Sequence, residues 1–279
     1  MGVLLVTLLA GGFLGATLVR FGPGFGTDER ELDPRLSAQS IATLRQSRVG
    51  DNDLPAFYFR YLTGLIRGDL GVSRSLGRPV TELLGERLPV TLRAIGIGLS
   101  AGWVGGLLLA LLTHFFRIPA FDFASTVGSG LFLCLPAAVL ALLFVYAGAP
   151  SPLGIAAVIF PRVFRYARNL FLSAAARPHV TTARAKGLGK IRILLWHILP
   201  CIAPELLALL GVSLSVAFTA SIPVEAICDS PGIGQLAWQA ALARDLPLLT
   251  NLTLIVTAVT LVGNLISDWT GGVATGGPA

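Results

Sequence analysis

Charged side chains are scarce in this sequence. Asp, Glu, Lys and Arg make up 13% of the 279 residues, whereas 54% are hydrophobic and the mean hydropathy is +0.76. A water-soluble domain carries roughly a quarter charged residues, so this composition excludes an ordinary soluble protein. The formal net charge of +6 comes mostly from one short segment and does not indicate nucleic-acid binding. The composition predicts an integral membrane protein.

Lysine and cysteine are also rare. The two lysines, Lys186 and Lys190, are followed by Gly and Ile, and no G-x-x-x-x-G-K-[ST] motif is present. The chain therefore has no phosphate-binding loop of its own. Its three cysteines (Cys134, Cys201 and Cys228) are far apart and lie in or beside apolar runs, which favours small buried side chains over a metal or redox site. We expect no catalytic residue, bound cofactor or metal in this chain.

Long apolar runs, by contrast, are abundant. A helix needs about 20 mostly apolar residues to cross the hydrocarbon core, because its backbone polar groups must be satisfied within the segment. The first run lacks the basic start and the cleavage pattern of a secretory signal, so we expect it to be a true span. The six predicted spans are residues 1–19, 90–116, 123–147, 153–176, 201–228 and 246–269.

The fourth predicted span is interrupted by charge. Arg162, Arg165 and Arg168 recur every three residues, which places them near one another on a helix. Two interpretations stay open: the arginines face a wet cleft, or their side chains reach out to the lipid headgroups.

Charge also predicts the orientation. Residues 162–192 hold eight basic side chains and no acidic one, so the positive-inside rule places this segment in the cytoplasm. Residues 20–89 hold ten Arg against nine Asp and Glu, and a loop of this length crosses largely regardless of charge. With six spans, both termini are cytoplasmic and residues 20–89 form a folded or docked external loop. Residues 273–279 are expected to be a flexible tail.

The segment TTARAKGLGKIRILLWHILP, residues 181–200, has four positive charges and no negative one. Pro178 suits the first turn of a helix, and the two threonines that open the segment are expected to act as caps. Gly187 and Gly189 would interrupt this helix. The apolar stripe expected after the break consists of Leu188, Ile191, Leu195 and Ile198, ended by Pro200. From the residues alone, this pattern is typical of a helix that lies on anionic lipid.

The same segment resembles the cytoplasmic coupling loop, or EAA loop, of ABC importer permeases. The family pattern is E-A-A, three residues, Gly, nine residues and I-x-L-P. Four residues are in register with it: Ala183, Gly187, Leu199 and Pro200. Thr181, Thr182 and His197 stand at the positions of the family's Glu, first Ala and Ile. The sequence TARAKGL, followed later by His, is similar to the coupling loop of the dipeptide, oligopeptide and nickel branch of the family, which commonly lacks that Glu.

Other stretches resemble the same branch in the same order along the chain. They are LVRFGPGFG with LSAQSIATLR, GDLGVSRSLGRPVTELLGERLPVTL, RVFRYARNLFL and VEAICDSPGIGQLAWQAALARDLPLL. The resemblance implies an all-α membrane fold with a single permease domain over residues 1–272 and a cytoplasmic coupling loop over 177–200. It also implies residence in a bacterial or archaeal inner membrane.

The resemblance further implies a division of labour between subunits. The chain would form half of an import pathway for peptides or a similar small solute, opposite a second homologous permease. Two separate ATPase subunits would bind ATP and Mg and hydrolyse the ATP, and an external substrate-binding protein would deliver the solute. This chain would then not itself be an enzyme.

The same likeness implies site residues. The ATPase-coupling set is Thr182, Ala183, Arg184, Ala185, Lys186, Gly187, Leu188, His197, Leu199 and Pro200. Glu225 matches a family Glu near the outer end of the fifth span, where it is either a possible pathway residue or an acid in interfacial water. Ser213, Ser215, Thr219 and Ser221 either line a polar pathway there or join helices, and joining helices is the expected role of most of them.

Two other functions stay open at this point. An intramembrane serine protease would need a Ser and His pair on facing spans, and Ser129 in VGSG is its candidate nucleophile, although no partnered His is evident. A secondary transporter would show inverted repeats with broken helices in both halves, and no such internal symmetry is visible.

Overall fold

The computed structural model describes residues 6, 10–14, 17, 58, 61–65, 67–116 and 118–275. Most of the first predicted span and the loop residues 18–57 lie outside this part. Within it every regular element is a helix, apart from one antiparallel bridge between Val72 and Pro79.

Helices of very different length follow one another along the described chain. They are α1 (Val80–Phe116), α2 (Pro119–Cys134), α3 (Ala137–Tyr146), α4 (Ser151–Ala175), α5 (Pro178–Ala185), α6 (Lys190–Ile193), α7 (Leu199–Ile227), α8 (Ile233–Leu242) and α9 (Leu246–Thr275), with a π-helical turn (Leu194–Ile198) between α6 and α7. Among the described residues, three stretches are long and apolar enough to cross a membrane: Val80–Phe116, Lys190–Ile227 and Leu246–Asp268. The pair α2 and α3 adds a fourth if it is counted as one span.

The third predicted span is not one continuous helix. Its residues form α2 and α3, which meet at an angle of 103°. The break falls at Leu135 and Pro136, where Leu135 is extended with φ −86° and ψ 129°. A proline ring disfavours helical geometry in the residue before it, so Pro136 ends α2 although the whole stretch is apolar.

The described residues belong to two compact units, one within residues 1–88 and 236–258 and the other within residues 89–235 and 259–279. In the first unit a buried carboxylate fastens the segment before α1 to the start of α9. Asp245 Oδ2 accepts hydrogen bonds from the Ser73 hydroxyl at 2.6 Å, the Ser75 hydroxyl at 2.8 Å and the Ser75 backbone N–H at 2.9 Å. Its other oxygen accepts the Leu248 N–H at 3.2 Å. Asp245 thereby also caps the first turn of α9.

A second polar contact secures the same segment. The Asn251 side chain donates to the Leu70 carbonyl at 2.9 Å and accepts the Tyr61 hydroxyl at 2.8 Å. Burial raises the pKa of the Tyr61 phenol well above its usual range, so this group stays a hydrogen-bond donor. The described residues between 61 and 79, which belong to the predicted external loop, are therefore docked onto α9.

In the second unit, glycines bring α1 and α4 into close contact. Gly98, Gly102 and Gly106 are spaced by four residues, and a Cβ atom built on each would lie within 3.0 Å of α4 atoms. The atoms met are the Pro152 carbonyl oxygen, the Ile159 Cβ atom and the Phe160 carbonyl oxygen. Small residues at this spacing are a common device for packing helices in membranes.

Candidate functional site

The basic segment is a separate small helix. Pro178 is in the first turn of α5, as the sequence predicts, and the N-cap residue is Arg177, which is extended. The capping role expected of Thr181 and Thr182 is wrong. Both lie inside α5, and their hydroxyls donate back to carbonyls four residues earlier, at 3.4 and 3.0 Å. A threonine can cap only from the position before the helix, where the first N–H groups are unpaired.

Gly187 follows the C-cap residue of α5 and has φ +75°. Its N–H donates to the Arg184 carbonyl at 2.9 Å, and the Leu188 N–H donates to the Ala183 carbonyl at 3.3 Å. These two bonds form the Schellman ending of a helix. A Cβ atom on Gly187 would meet nothing within 4 Å. The glycine is therefore required by its backbone conformation and not by crowding within this chain.

One face of the segment is anchored in the apolar core of its unit. Ala183, 4% exposed, lies with Val180 in a buried cluster that also contains Phe164 and Phe171 of α4. From α6 onward the same cluster includes Ile193, Leu194, Ile198 and Ile202. The segment therefore moves with α4 and α7 rather than as a free loop.

Only half of the apolar stripe predicted beyond Gly187 faces the core. Ile198 is buried and Leu188 is half-buried, but Ile191 and Leu195 are 67% and 51% exposed. Leu194 is buried in their place. The run ILLWHIL is apolar nearly throughout, so two overlapping stripes have helical spacing, and periodicity alone does not select between them.

The opposite face of the segment is open to solvent. We define the basic face as Thr182, Arg184, Ala185, Lys186 and Gly187, all of which are exposed. Beside it lie three exposed apolar side chains, Ile191, Leu195 and Trp196. Of the predicted coupling set, Leu199 and Pro200 are exposed as well, His197 is half-buried, and Ala183 points into the core.

The connection to the next span is continuous helix. Pro200 was expected to end the helical pattern. Instead it lies in the first turn of α7, directly after the π-helical turn. A proline cannot donate to the preceding turn, and the π-helical turn changes the hydrogen-bonding pattern just before it. The His197 carbonyl lies 3.3 Å from His179 Nε2, and Cys201 Sγ lies 3.5 Å from the same nitrogen. The start of α7 is thereby linked to the start of α5.

A cavity of about 520 Å³ lies behind the basic face. Its lining residues are Ala110, Thr113, His114, Ile118, Pro119, Asp122, Arg168, Leu172, Ala175, Ala176 and Arg184. Arg168 donates from Nε to Asp122 Oδ1 at 2.6 Å and from Nη2 to Asp122 Oδ2. This bidentate ion pair joins α2 to α4 beside the basic segment.

A second cavity, of about 580 Å³, is lined by part of the predicted pathway set. Its lining residues are Ala137, Val158, Arg162, Val212, Ser215, Val216, Thr219, Ala220, Ile222, Pro223, Thr260 and Asn264. Ser215 also joins helices, because its hydroxyl lies 3.3 Å from the Thr260 carbonyl of α9. Ser213 is buried and donates to the Leu209 carbonyl at 2.7 Å within its own helix. Thr219 is thus the exposed hydroxyl of the predicted set on this wall.

Glu225 lies in the interior, with 0% of its surface exposed. Its Oε2 atom accepts the Gly234 N–H at 2.7 Å and the Thr91 hydroxyl at 3.0 Å, while the Thr91 oxygen accepts the Ile233 N–H at 2.7 Å. Glu225 is not among the residues that line either cavity. Its position fits a clasp between α1, α7 and α8 rather than the pathway wall expected from the sequence.

The partners of Glu225 in this clasp were not predicted from the sequence. A Cβ atom on Gly234 would lie 2.6 Å from the Ile222 Cα atom, and one on Gly232 would lie 2.5 Å from Thr91 Oγ1. The stretch SPGIG after α7 is therefore the signal that a backbone approaches closely there. Thr91, far away in sequence, has no such local signal.

A family model for the binding-protein-dependent transport system inner membrane component matches residues 102–273, more than half of the chain. The oligopeptide transport system permease protein AppB of Bacillus subtilis is 26% identical over 268 residues, with 85% of this chain and 84% of AppB covered. The glutathione transport system permease protein GsiC of Salmonella paratyphi A is 27% identical over 259 residues, with 84% and 83% covered. The oligopeptide transport system permease protein OppB of Haemophilus influenzae is 27% identical over 289 residues, with 90% and 88% covered.

A solved structure has the same fold. A chain from the inward-facing MetNI methionine ABC transporter superposes with a TM-score of 0.58 at 19% identity, and 70% of this chain and 96% of that chain are covered. The protease and secondary-transporter alternatives gain no support, and the Ser129 hydroxyl donates to the Thr126 carbonyl of its own helix at 2.9 Å. The chain belongs to the family of binding-protein-dependent transport system inner membrane components and is a permease subunit of an ABC importer, as the TARAKGL segment predicts.

Proposed function

We propose that this chain forms half of the membrane pathway of a peptide importer and that the basic face seats on a separate ATPase subunit. The peptide assignment rests on relatives named as oligopeptide and glutathione permeases. ATP and Mg would bind to two such ATPase subunits, a second homologous permease would complete the pathway, and an external binding protein would deliver the peptide.

The observation that carries the coupling role is the combination of an anchored and an exposed face on α5. Val180 and Ala183 fix the helix to the core, while Arg184 and Lys186 remain exposed on the other side. A rigid-body movement of a partner at that surface would pass into α4 and α7, because interfaces of packed helices shift as units. A helix that merely rests on lipid needs no such anchoring.

We further propose six spans with both termini in the cytoplasm. The fifth and sixth spans would correspond to α7 and α9, the second to α1, and the third to the bent pair α2 and α3. In this topology α4 is the fourth span and residues 20–89 are external.

A cysteine at Asn52, which lies outside the described residues, should then react with an impermeant thiol reagent added to whole cells. Labelling that occurs only after lysis would show that residues 20–89 are cytoplasmic and would contradict the proposed topology.

Crosslinking tests the coupling role directly. Cysteines at Arg184 and Lys186, introduced one at a time in the assembled complex, should crosslink to an ATPase subunit. A cysteine at Val180, buried on the opposite face, is the matched control and should not. The purified chain alone should hydrolyse no ATP. Hydrolysis by the isolated chain, or equal crosslinking from Val180, would contradict the proposal.

A further inference from the structure

The second cavity contains a positive charge in an unusual position. Arg162 lies midway along α4, directly after Pro161, and its side chain contributes to the cavity wall. Within the described ranges it makes no hydrogen bond and no ion pair. The side chain is exposed along this wall, and a charged residue within a membrane-spanning helix usually faces a water-filled cavity and marks a functional site.

Arg168 on the same helix shows the contrast. Its guanidinium is held by both carboxylate oxygens of Asp122 and lines the other cavity. Arg165 is exposed like Arg162 but is not among the lining residues of either cavity. The three arginines therefore have different surroundings. Each step of three residues displaces the side chain by about 60° around the helix axis.

The remaining wall of the cavity suits a small organic ligand. Among the described residues that line it there is no acidic side chain, so nothing on the wall neutralises Arg162. Asn264 is exposed and makes no hydrogen bond to any residue in the described part of the chain, which leaves its amide N–H groups available. The Thr219 hydroxyl donates to the Ser215 carbonyl at 3.0 Å and retains an acceptor oxygen. The rest of the lining is mostly apolar, and the volume falls in the range of small-molecule sites.

The wall between α7 and α9 is held in place by close packing. A Cβ atom on Gly211 would lie 2.5 Å from the Gly263 carbonyl and 2.9 Å from the Ser267 nitrogen. Asn264 and Thr219 are therefore carried by two helices that have little freedom to move apart.

We infer that this cavity binds the carboxylate of the transported solute, with Arg162 as its counter-charge and Asn264 as a second donor. This inference rests on the proposed function and narrows it. A guanidinium matches a carboxylate with two parallel hydrogen bonds, and the apolar wall accommodates side chains of varied shape. A bare divalent cation such as nickel would be repelled here, so the structure favours carboxylate-bearing solutes over metal ions.

Charge-selective thiol labelling tests the cavity without requiring transport. The three native cysteines are replaced by alanine, and Thr219→Cys is introduced in the complete transporter. We expect the anionic sulfonatoethyl methanethiosulfonate to be favoured over the cationic trimethylammonioethyl reagent, after normalisation to a free thiol. Arg162→Gln should lower this preference by about tenfold, because one unit charge acts at short range in a poorly screened site. Arg162→Lys should retain it, and Arg165→Gln, the matched control, should leave it unchanged.

Absence of this preference in the assembled transporter would overturn the inference. A carboxylate of the second permease subunit would then be one explanation, and loss of subunit co-purification in Arg162→Gln would identify that source. Normal co-purification together with the preference supports an open anion site.

Uptake then tests whether the solute supplies the carboxylate. Dialanine should be taken up at least about tenfold more slowly by Arg162→Gln at equal membrane abundance, as expected for loss of a charge-assisted hydrogen bond. Dialanine amide should show little difference between the two proteins. Equal loss for both peptides would contradict recognition of the solute by Arg162. If the unsubstituted transporter takes up neither peptide, the peptide assignment fails, while the labelling result still decides whether the cavity attracts anions.

Discussion

Glu225 and Thr91 lie 134 positions apart, and the Thr91 hydroxyl donates to Glu225 Oε2 at 3.0 Å in the interior of the second unit. The same carboxylate oxygen accepts the Gly234 N–H, and Thr91 accepts the Ile233 N–H. Two side chains therefore satisfy two backbone donors at the start of α8. Buried backbone donors without partners are rare because they are costly.

Thr91→Val is expected to destabilise the protein. The substitution preserves the shape of the side chain but removes a hydrogen bond to Glu225 and leaves the Ile233 N–H unpaired, at a cost of about 2–4 kcal/mol. Thr91→Ser keeps the hydroxyl and is the matched control. Thermal unfolding in detergent should show a lower midpoint for Val than for Ser. Equal midpoints for the two variants would contradict the role of the hydroxyl.

The variant Glu225→Gln distinguishes a structural role of Glu225 from a role of its negative charge in transport. The amide oxygen can still accept the Thr91 and Gly234 donors, so the two hydrogen bonds are kept and only their strength changes. Because this difference is about the net free energy of one neutral hydrogen bond, uptake per inserted molecule should stay within about threefold of the original. Glu225→Ala should lower membrane abundance instead. If the glutamine variant is abundant but transports nothing, the negative charge itself takes part in transport.

Substitutions of Gly187 separate backbone conformation from close approach of a partner. Its φ of +75° disfavours Ala and Leu by about 1–2 kcal/mol, whereas Asn tolerates it. We expect Gly187→Asn to retain most uptake, and Gly187→Ala and Gly187→Leu to lose uptake at normal membrane abundance. Asn that is as harmful as Leu would indicate that the ATPase surface leaves no room for a side chain. Normal uptake by Gly187→Leu would favour a lipid-surface helix.

Gly263→Ala tests the contact between α7 and α9. A Cβ atom there would lie 2.8 Å from the Gly211 carbonyl and would also clash with the Ser215 side chain. Overpacking of this kind costs about 1–3 kcal/mol. Gly128→Ala in α2 is the control, because a Cβ atom there meets nothing within 4 Å. Membrane abundance and unfolding midpoint should fall for the first variant and hold for the second, and similar values for both would contradict the close packing.

Asp245→Ala should release the docked segment of residues 61–79. The change removes the acceptor of three hydrogen bonds from Ser73 and Ser75. Bonds to a charged acceptor contribute about 1.5–3 kcal/mol each, so trypsin should cleave faster after Arg67 and Arg74. Asp268→Asn, an exposed acid on α9, is the control. Unchanged cleavage after loss of Asp245 would show that other contacts suffice.

Local signals explain what the sequence could predict. Pro178 at a helix start and Gly187 at a helix end act through their own backbone geometry, and both are found where expected. The glycines at 98, 102 and 106 also carry a readable spacing, which the sequence analysis did not use. The bend before Pro136 has no signal in the hydropathy, because the sequence is apolar on both sides of the proline.

Long-range partners explain what the sequence could not predict. The contact of Glu225 with Thr91 joins residues whose neighbours in sequence say nothing about each other. Likewise, the exposure of Ile191 and the burial of Leu194 depend on which of two apolar stripes meets Phe171 and its neighbours. The cavity beside Arg162 needs residues from four helices, and only the fold brings them together.

The docking of Ser73 onto Asp245 also sets an order of events during synthesis. Asp245 emerges 172 positions after Ser73, and at about 5–20 residues per second this interval lasts roughly 9–34 s. Throughout it, the serines and Tyr61 have neither Asp245 nor Asn251 to bind. The segment before α1 therefore reaches its final position only after nearly the whole chain has been made, and a nascent chain halted before Asp245 leaves that segment open to proteases and chaperones.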